Sequence, residues 1–84
     1  MDAQELKNLT ADAVVDARGT ACPGPLLEAK RSMSKVPIQG LMEVLSSDAS
    51  TKSDIPLWAE KVGHSYLGSI EDAGFWRIFV RRGK

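Results

Sequence analysis

The residue best equipped for chemistry in this 84-residue chain is its single cysteine, Cys22, set in the run Cys22-Pro23-Gly24-Pro25. Proline is tolerated in the first turn of a helix, where backbone N–H groups have no intrahelical partner, so Pro23 suits position N1 and Pro25 position N3. Proline at 23 also drives Cys22 out of the α region into the extended conformation of an N-cap residue. The sulfur is then expected over the helix N-terminus. There the free amides of Gly24 and Leu26 and the macrodipole favour an anion, and lower a thiol pKa from its usual ~8.5. Arg18, a few residues upstream, is a candidate to add positive charge, and Gly24 leaves space for a partner's backbone or an extra sulfur atom. The competing reading is a buried cysteine acting as an inert small hydrophobe; two flanking prolines at a helix start argue against it. A nucleophile with no second cysteine to resolve its own disulfide suits group transfer, in which sulfur is accepted from one protein and handed to another.

Other reactive side chains give weaker signals. His64 follows a helix stop and could be a base for Cys22, which would require hydrogen-bond reach, but it is read as a surface or strand-end residue. Asp16 and Asp48 stand where strands end and helices begin, where carboxylates commonly cap backbone N–H groups. If the first two strands are parallel neighbours, both acids share the sheet edge of Cys22, the usual ligand side of an α/β sheet. Asp48 is thereby a candidate partner contact. Phe75, Arg77, Phe79 and Arg81 alternate as an aromatic and basic stripe, read as a half-exposed sheet face in preference to a nucleic-acid platform.

Eleven Lys+Arg balance eleven Asp+Glu, so no global field gathers nucleic acid or anionic lipid. No direct nucleic-acid partner and no membrane partner is expected. Apolar residues at 43% and charged residues at 26% are globular values, without a run approaching the ~20 apolar residues of a membrane-spanning helix. A lone cysteine forms no internal disulfide, and the first residues lack the pattern of a secretory signal, so a reducing cytoplasm is expected. With one histidine and one cysteine, zinc would have to rely on carboxylates, so no metal and no cofactor is expected.

The elements that must hold Cys22 follow from periodicity. Residues 1–12 are polar and are read as a flexible N-terminal arm with at most one helical turn, leaving residues 13–84 as a single domain. Ala13-Val14-Val15-Asp16 reads as a first strand running into Arg18-Gly19. From Pro23 to about Lys35, Leu26, Ala29, Met33 and Val36 recur at helical spacing. Leu41 to Leu45 reads as a second strand, parallel to the first through a right-handed crossover. Ile55, Trp58, Ala59 and Val62 form a second helical stripe, starting at Ser53 or Asp54 as N-cap so that Pro56 falls in the first turn, and stopping at Gly63. His64–Glu71 and Phe75–Arg82 flank Asp72-Ala73-Gly74 as a hairpin. Trp76, Ile78 and Val80 should meet the helices, and Phe75, Arg77, Phe79 and Arg81 should meet solvent. The expected fold is α+β, a two-layer sandwich of order βαβαββ with two helices on one face of a four-stranded mixed sheet.

The run Asp16-Ala17-Arg18-Gly19-Thr20-Ala21-Cys22-Pro23-Gly24-Pro25 resembles the D-x-x-G-x-x-C-P-x-P signature of TusA-like (SirA-like) sulfur carrier proteins. Asp48, Thr51 and Asp54-Ile55-Pro56 resemble that family's segment opening the second helix, and the likeness extends from about Ala13 onward. The resemblance implies that Cys22 accepts sulfane sulfur as a persulfide from a cysteine desulfurase or a rhodanese-like donor. It further implies delivery to a DsrE-like acceptor, in tRNA thiolation, cofactor sulfur supply or sulfur oxidation. The variable motif position is Gly24, where some tRNA-thiolation members carry an acidic residue; Leu27 and Lys30, next along the helix, join Asp48 as candidates for partner docking. A monomer acting with donor and acceptor proteins is the expectation. A regulatory or interaction module, and haem binding through the Cys-Pro pair, are alternatives that leave the fold unchanged.

Overall fold

The computed structural model describes residues 3–20 and 24–84. In chain order they form α1 (Ala3–Lys7), β1 (Ala13–Asp16), α2 (Gly24–Met33), β2 (Leu41–Ser46), α3 (Thr51–Val62), β3 (Ser65–Asp72) and β4 (Phe75–Arg81). The sheet order is β1-β2-β4-β3. β1 lies parallel to β2 with Val15 opposite Val44, and both remaining pairings are antiparallel. Only a crossover can join parallel neighbours, and α2 supplies it. The βαβαββ order and the mixed sheet are as expected from the sequence.

On one face the strands present Val15, Met42, Val44, Ile78 and Val80, and the helices cover them with Ala29, Met33, Ile55 and Ala59, joined by Val36 from the turn after α2, which ends at Met33 and so short of the expected Lys35. Period two in the strands and period 3.6 in the helices bring these sets together. Trp76 and Leu26 pack at the margin of this core. Each fully buried Ile or Met contributes about 1.5–3 kcal/mol over the exposed state. Ala29 is fully buried, so a larger side chain there would drive α2 off the sheet.

The other face departs from expectation. Phe79 was assigned to solvent by its alternation with Ile78 and Val80, yet it is 0% exposed and joins a second core with Leu6, Leu41 and Ile70. Alternation assigns a side chain to a face without saying what lies over that face. The cover comes from residues 3–12: Leu6 of α1 is buried, and Leu9 and Ala11 pack beside it. Gly68 allows the approach, because at its φ of +149° a β-carbon would stand 2.8 Å from Leu6 Cδ1. Asp12 ties the segment to β2, its Oδ2 accepting from the Leu41 N–H and its own N–H donating to the Leu41 carbonyl, both at 2.8 Å. Arg77 also leaves solvent, donating through Nε to Glu43 Oε2 at 2.7 Å and lying over the Phe79 ring. The aromatic and basic stripe is thus part of a covered face.

α3 begins at Thr51, earlier than Ser53 or Asp54, and Pro56 lies inside it. The lead-in is made of i→i+3 bonds from the amides of Thr51, Lys52 and Ser53 to the carbonyls of Asp48, Ala49 and Ser50. Those bonds draw on amides upstream of Pro56, so the missing proline N–H does not prevent the start. Gly63 closes the helix in the left-handed conformation at φ +89°, with the His64 N–H donating to the Ala59 carbonyl at 2.8 Å. Among the described residues no helix is long and apolar enough to cross a membrane.

Candidate functional site

Cys22 and Pro23 lie outside the described residues, so the expectations placed on them are carried by the frame on either side. Upstream, β1 ends at Asp16, and Ala17 is buried with its N–H donating to the Leu45 carbonyl at 2.8 Å. The chain then turns: the Thr20 N–H donates to the Ala17 carbonyl at 3.1 Å, and Gly19 takes the left-handed position at φ +80°. The Gly19 N–H donates to Ser47 Oγ at 2.8 Å, joining this turn to the loop after β2. Downstream, α2 opens at Gly24 with Pro25 buried in its first turn, where the lost amide costs no intrahelical bond.

That first turn holds no carboxylate, and the basic residues Lys30 and Arg31 fall in the last turn. The basic residues offset the negative end of the macrodipole, while the positive end of α2 is left uncompensated by any acid in its first turn.

The loop after β2 is held by hydroxyls. Buried Ser46 donates to Thr51 Oγ1 at 3.0 Å and accepts from the Asp48 N–H at 3.1 Å. Asp48 Oδ1 accepts from both the amide and the hydroxyl of Ser50, at 3.0 and 2.8 Å, so Asp48 caps the turn leading into α3. Gly19, Thr20, Ser47, Asp48 and Ala49 line an open depression of about 380 Å³ between the two loops. The β1 and β2 ends thus meet here, as expected at the ligand edge of a sheet.

Arg18 forms a bidentate pair with Asp16, Nε to Oδ1 at 2.9 Å and Nη2 to Oδ2 at 2.8 Å, and its guanidinium lies 4.8 Å from the Phe75 ring centroid. The Arg18 side-chain hydrogen bonds hold the Asp16 carboxyl down at a pKa of about 2. Arg18 is in turn neutralised by a local anion in this arrangement. On α2, Leu26 is half-buried while Leu27 and Lys30, one helical turn apart, are exposed. Lys30 and Leu26 line a groove between α2 and α3 with Leu57, Trp58 and Lys61. His64 stands at the opposite end of the sheet, its Nδ1 accepting from the Gly83 N–H at 3.0 Å. The ten residues of α2, about 15 Å of helix, separate that end from Gly24.

Three contributors had no reading at this site in the sequence, where Phe75 is read only as part of the aromatic and basic stripe. A β-carbon on Gly24 would overlap the Thr20 γ-methyl, so Thr20 fills the space that Gly24 was expected to leave open. Ser47 binds the Gly19 amide, and Phe75 supports Arg18. The Thr20 contact is local, four residues from Gly24, whereas the Ser47 pairing spans 28 residues and leaves no local trace.

This is an α/β sandwich in which the one cysteine of the chain stands two residues before a helix whose first turn carries no acid and which starts at the strand-end edge of the sheet. Residues 13–82 match the family model described as sulfurtransferase TusA. The chain belongs to the TusA sulfurtransferase family. It is 45% identical over 69 residues to a protein of Archaeoglobus fulgidus named a candidate sulfur carrier, covering 82% of this chain and 94% of that one. Against the sulfur carrier protein TusA of Pseudomonas putida (strain GB-1) it is 35% identical over 77 residues, 92% of this chain and 96% of the relative. The crystal structure of a SirA-like protein from Desulfitobacterium hafniense superposes with a TM-score of 0.69 at 25% identity, covering 86% of this chain and 99% of that one.

Proposed function

We propose that this protein is a sulfur carrier whose Cys22 takes up a sulfane sulfur as a persulfide and passes it to an acceptor protein. In the first step the Cys22 thiolate attacks the outer sulfur of a donor persulfide, from a cysteine desulfurase or a rhodanese-like protein. The donor's S–S bond breaks and its thiolate leaves. In the second, a thiolate of a DsrE-like acceptor attacks the outer sulfur on Cys22 and the Cys22 thiolate is released. Oxidation state is conserved across the two exchanges, so no cofactor enters.

The observation that carries this reading is the acid-free first turn of α2, which favours an anionic sulfur on Cys22, two residues before it in the sequence. Pro23 and Pro25 hold the chain for helix entry, and the amides of Gly24 and Leu26 are the donors assigned to the sulfur anion. Arg18 adds its charge only when it leaves Asp16. Leu27, Lys30 and Asp48 are the partner-facing residues, Leu27 and Lys30 on the exposed flank of α2 and Asp48 at the depression. The protein is placed in the cytoplasm, as a monomer that acts between donor and acceptor proteins.

The test is intact-mass analysis after incubation with a persulfide donor or with rhodanese and thiosulfate. A gain of one sulfur atom, lost on reduction and absent in Cys22→Ser, is expected. Absence of any adduct with every donor would refute the carrier reading.

A further inference from the structure

At the end of the sheet away from Gly24, a cavity of about 550 Å³ is lined by Lys30 of α2, Trp58 and Lys61 of α3, and His64, Arg82 and Lys84. No Asp or Glu belongs to its lining; Asp54 belongs to the adjoining groove. In a chain with eleven cations and eleven anions, four of the eleven cations converge here from three separate segments. Like charges crowd a cavity in this way at an electrostatic cost unless something of opposite sign offsets it.

The wall is also held in place. Arg82 Nε donates to the Lys84 carbonyl at 2.7 Å, and Nη1 donates to the Val36 carbonyl at 2.5 Å. The Gly83 N–H donates to His64 Nδ1, so the neutral imidazole carries its proton on Nε2 as a free-standing donor type. The Trp58 ring meets His64 edge-on at 5.4 Å between centroids, giving the cavity an aromatic side. Burial, then the fields of Arg82 and Lys84, push the His64 pKa below its usual value.

We infer that this cavity binds a tetrahedral oxyanion, a phosphate or sulfate group, through Lys30, Lys61, Arg82 and Lys84 with His64 as a neutral donor. Arg and Lys donors suit such groups, as charge-assisted bonds from several directions match their geometry. The volume exceeds that of one oxyanion, so the group arrives either as the free ion or as a phosphomonoester whose organic body lies against Trp58. The site does not require Cys22 or the carrier reading, although Lys30 is shared with the partner-facing flank of α2.

His64 is the only histidine, which makes it a clean NMR reporter. Its ring resonances are followed through pH titrations with inorganic phosphate, inorganic sulfate, adenosine monophosphate, or sodium chloride at matched ionic strength. The expected result is saturable binding of phosphate with an upward move of the His64 pKa relative to chloride, as a bound anion offsets the field of the surrounding cations. Lys30→Met with Lys61→Met should weaken it by about tenfold or more. Tighter binding of adenosine monophosphate than of phosphate identifies the ester as the natural source; equal or weaker binding identifies the free ion. Phosphate acting only as chloride does, or binding unchanged in the double variant and in Lys84→Met, would overturn the assignment. Urea midpoints of the variants confirm that they are folded.

Discussion

Truncating Leu6 to alanine tests whether the second face of the sheet is part of the fold in solution. Leu6 is 2% exposed and rests on Phe79, Leu41 and Ile70. The change removes three carbons, worth about 2 kcal/mol in transfer alone at ~0.8 kcal/mol per methylene. A residual cavity adds to this, but α1 is only five residues long and relaxes towards Phe79, which places the total near 2–3 kcal/mol. For a domain of this size each kcal/mol lowers Tm by roughly 4–8 °C, so a fall of roughly 10–20 °C is expected. Urea unfolding followed by tryptophan fluorescence measures the difference, with exposed Lys7→Ala as a control expected within about 0.5 kcal/mol of the parent. The fluorescence signal and a backbone circular dichroism signal must give the same transition for the free energies to be comparable. If Leu6→Ala also stays within about 0.5 kcal/mol, α1 does not hold the sheet and the argument from Phe79 fails. Such a result would restore residues 1–12 to the status of an arm.

Gly24→Ala, a change that gains about 0.5–1 kcal/mol inside most helices, should gain nothing here because the new methyl meets Thr20; adding Thr20→Ser should recover the gain, and additive effects of the two changes would refute the overlap. Asp16 should titrate near pH 2 by carboxyl NMR and return towards 3.8 in Arg18→Ala. Because its folded pKa is depressed, its contribution to stability is present above pH 4 and is lost as pH falls from about 4 to about 2, so acid unfolding of the parent should be steeper there than that of the variant.

Much of the layout was legible from local pattern. Val15, Val44, Ile78 and Val80 announce their strands and shared face by period two, and Leu26, Ala29 and Met33 announce the covering helix by period 3.6. Gly63 marks the end of α3 because the left-handed cap needs a residue without a β-carbon. The start of α3 was not legible. Pro56 is a local signal against an earlier start, and what overrides it is the turn before α3, where the Asp48 hydrogen bonds to Ser50 and Ser46 exist only once β2 has placed the loop.

By itself the amino-acid order determines that one cysteine, fenced by prolines, precedes a helix, and that this helix begins without acid and ends with base. Those are properties of neighbours along the chain, and helix electrostatics act over the same short range. Tertiary structure alone decided what reaches that helix start from distant segments: Ser47 on the Gly19 amide and Phe75 against Arg18. It also decided that Phe79 is covered by Leu6 and that four cations meet at the far end of the sheet. Each depends on which segments the β1-β2-β4-β3 order brings side by side, and periodicity assigns faces without assigning neighbours.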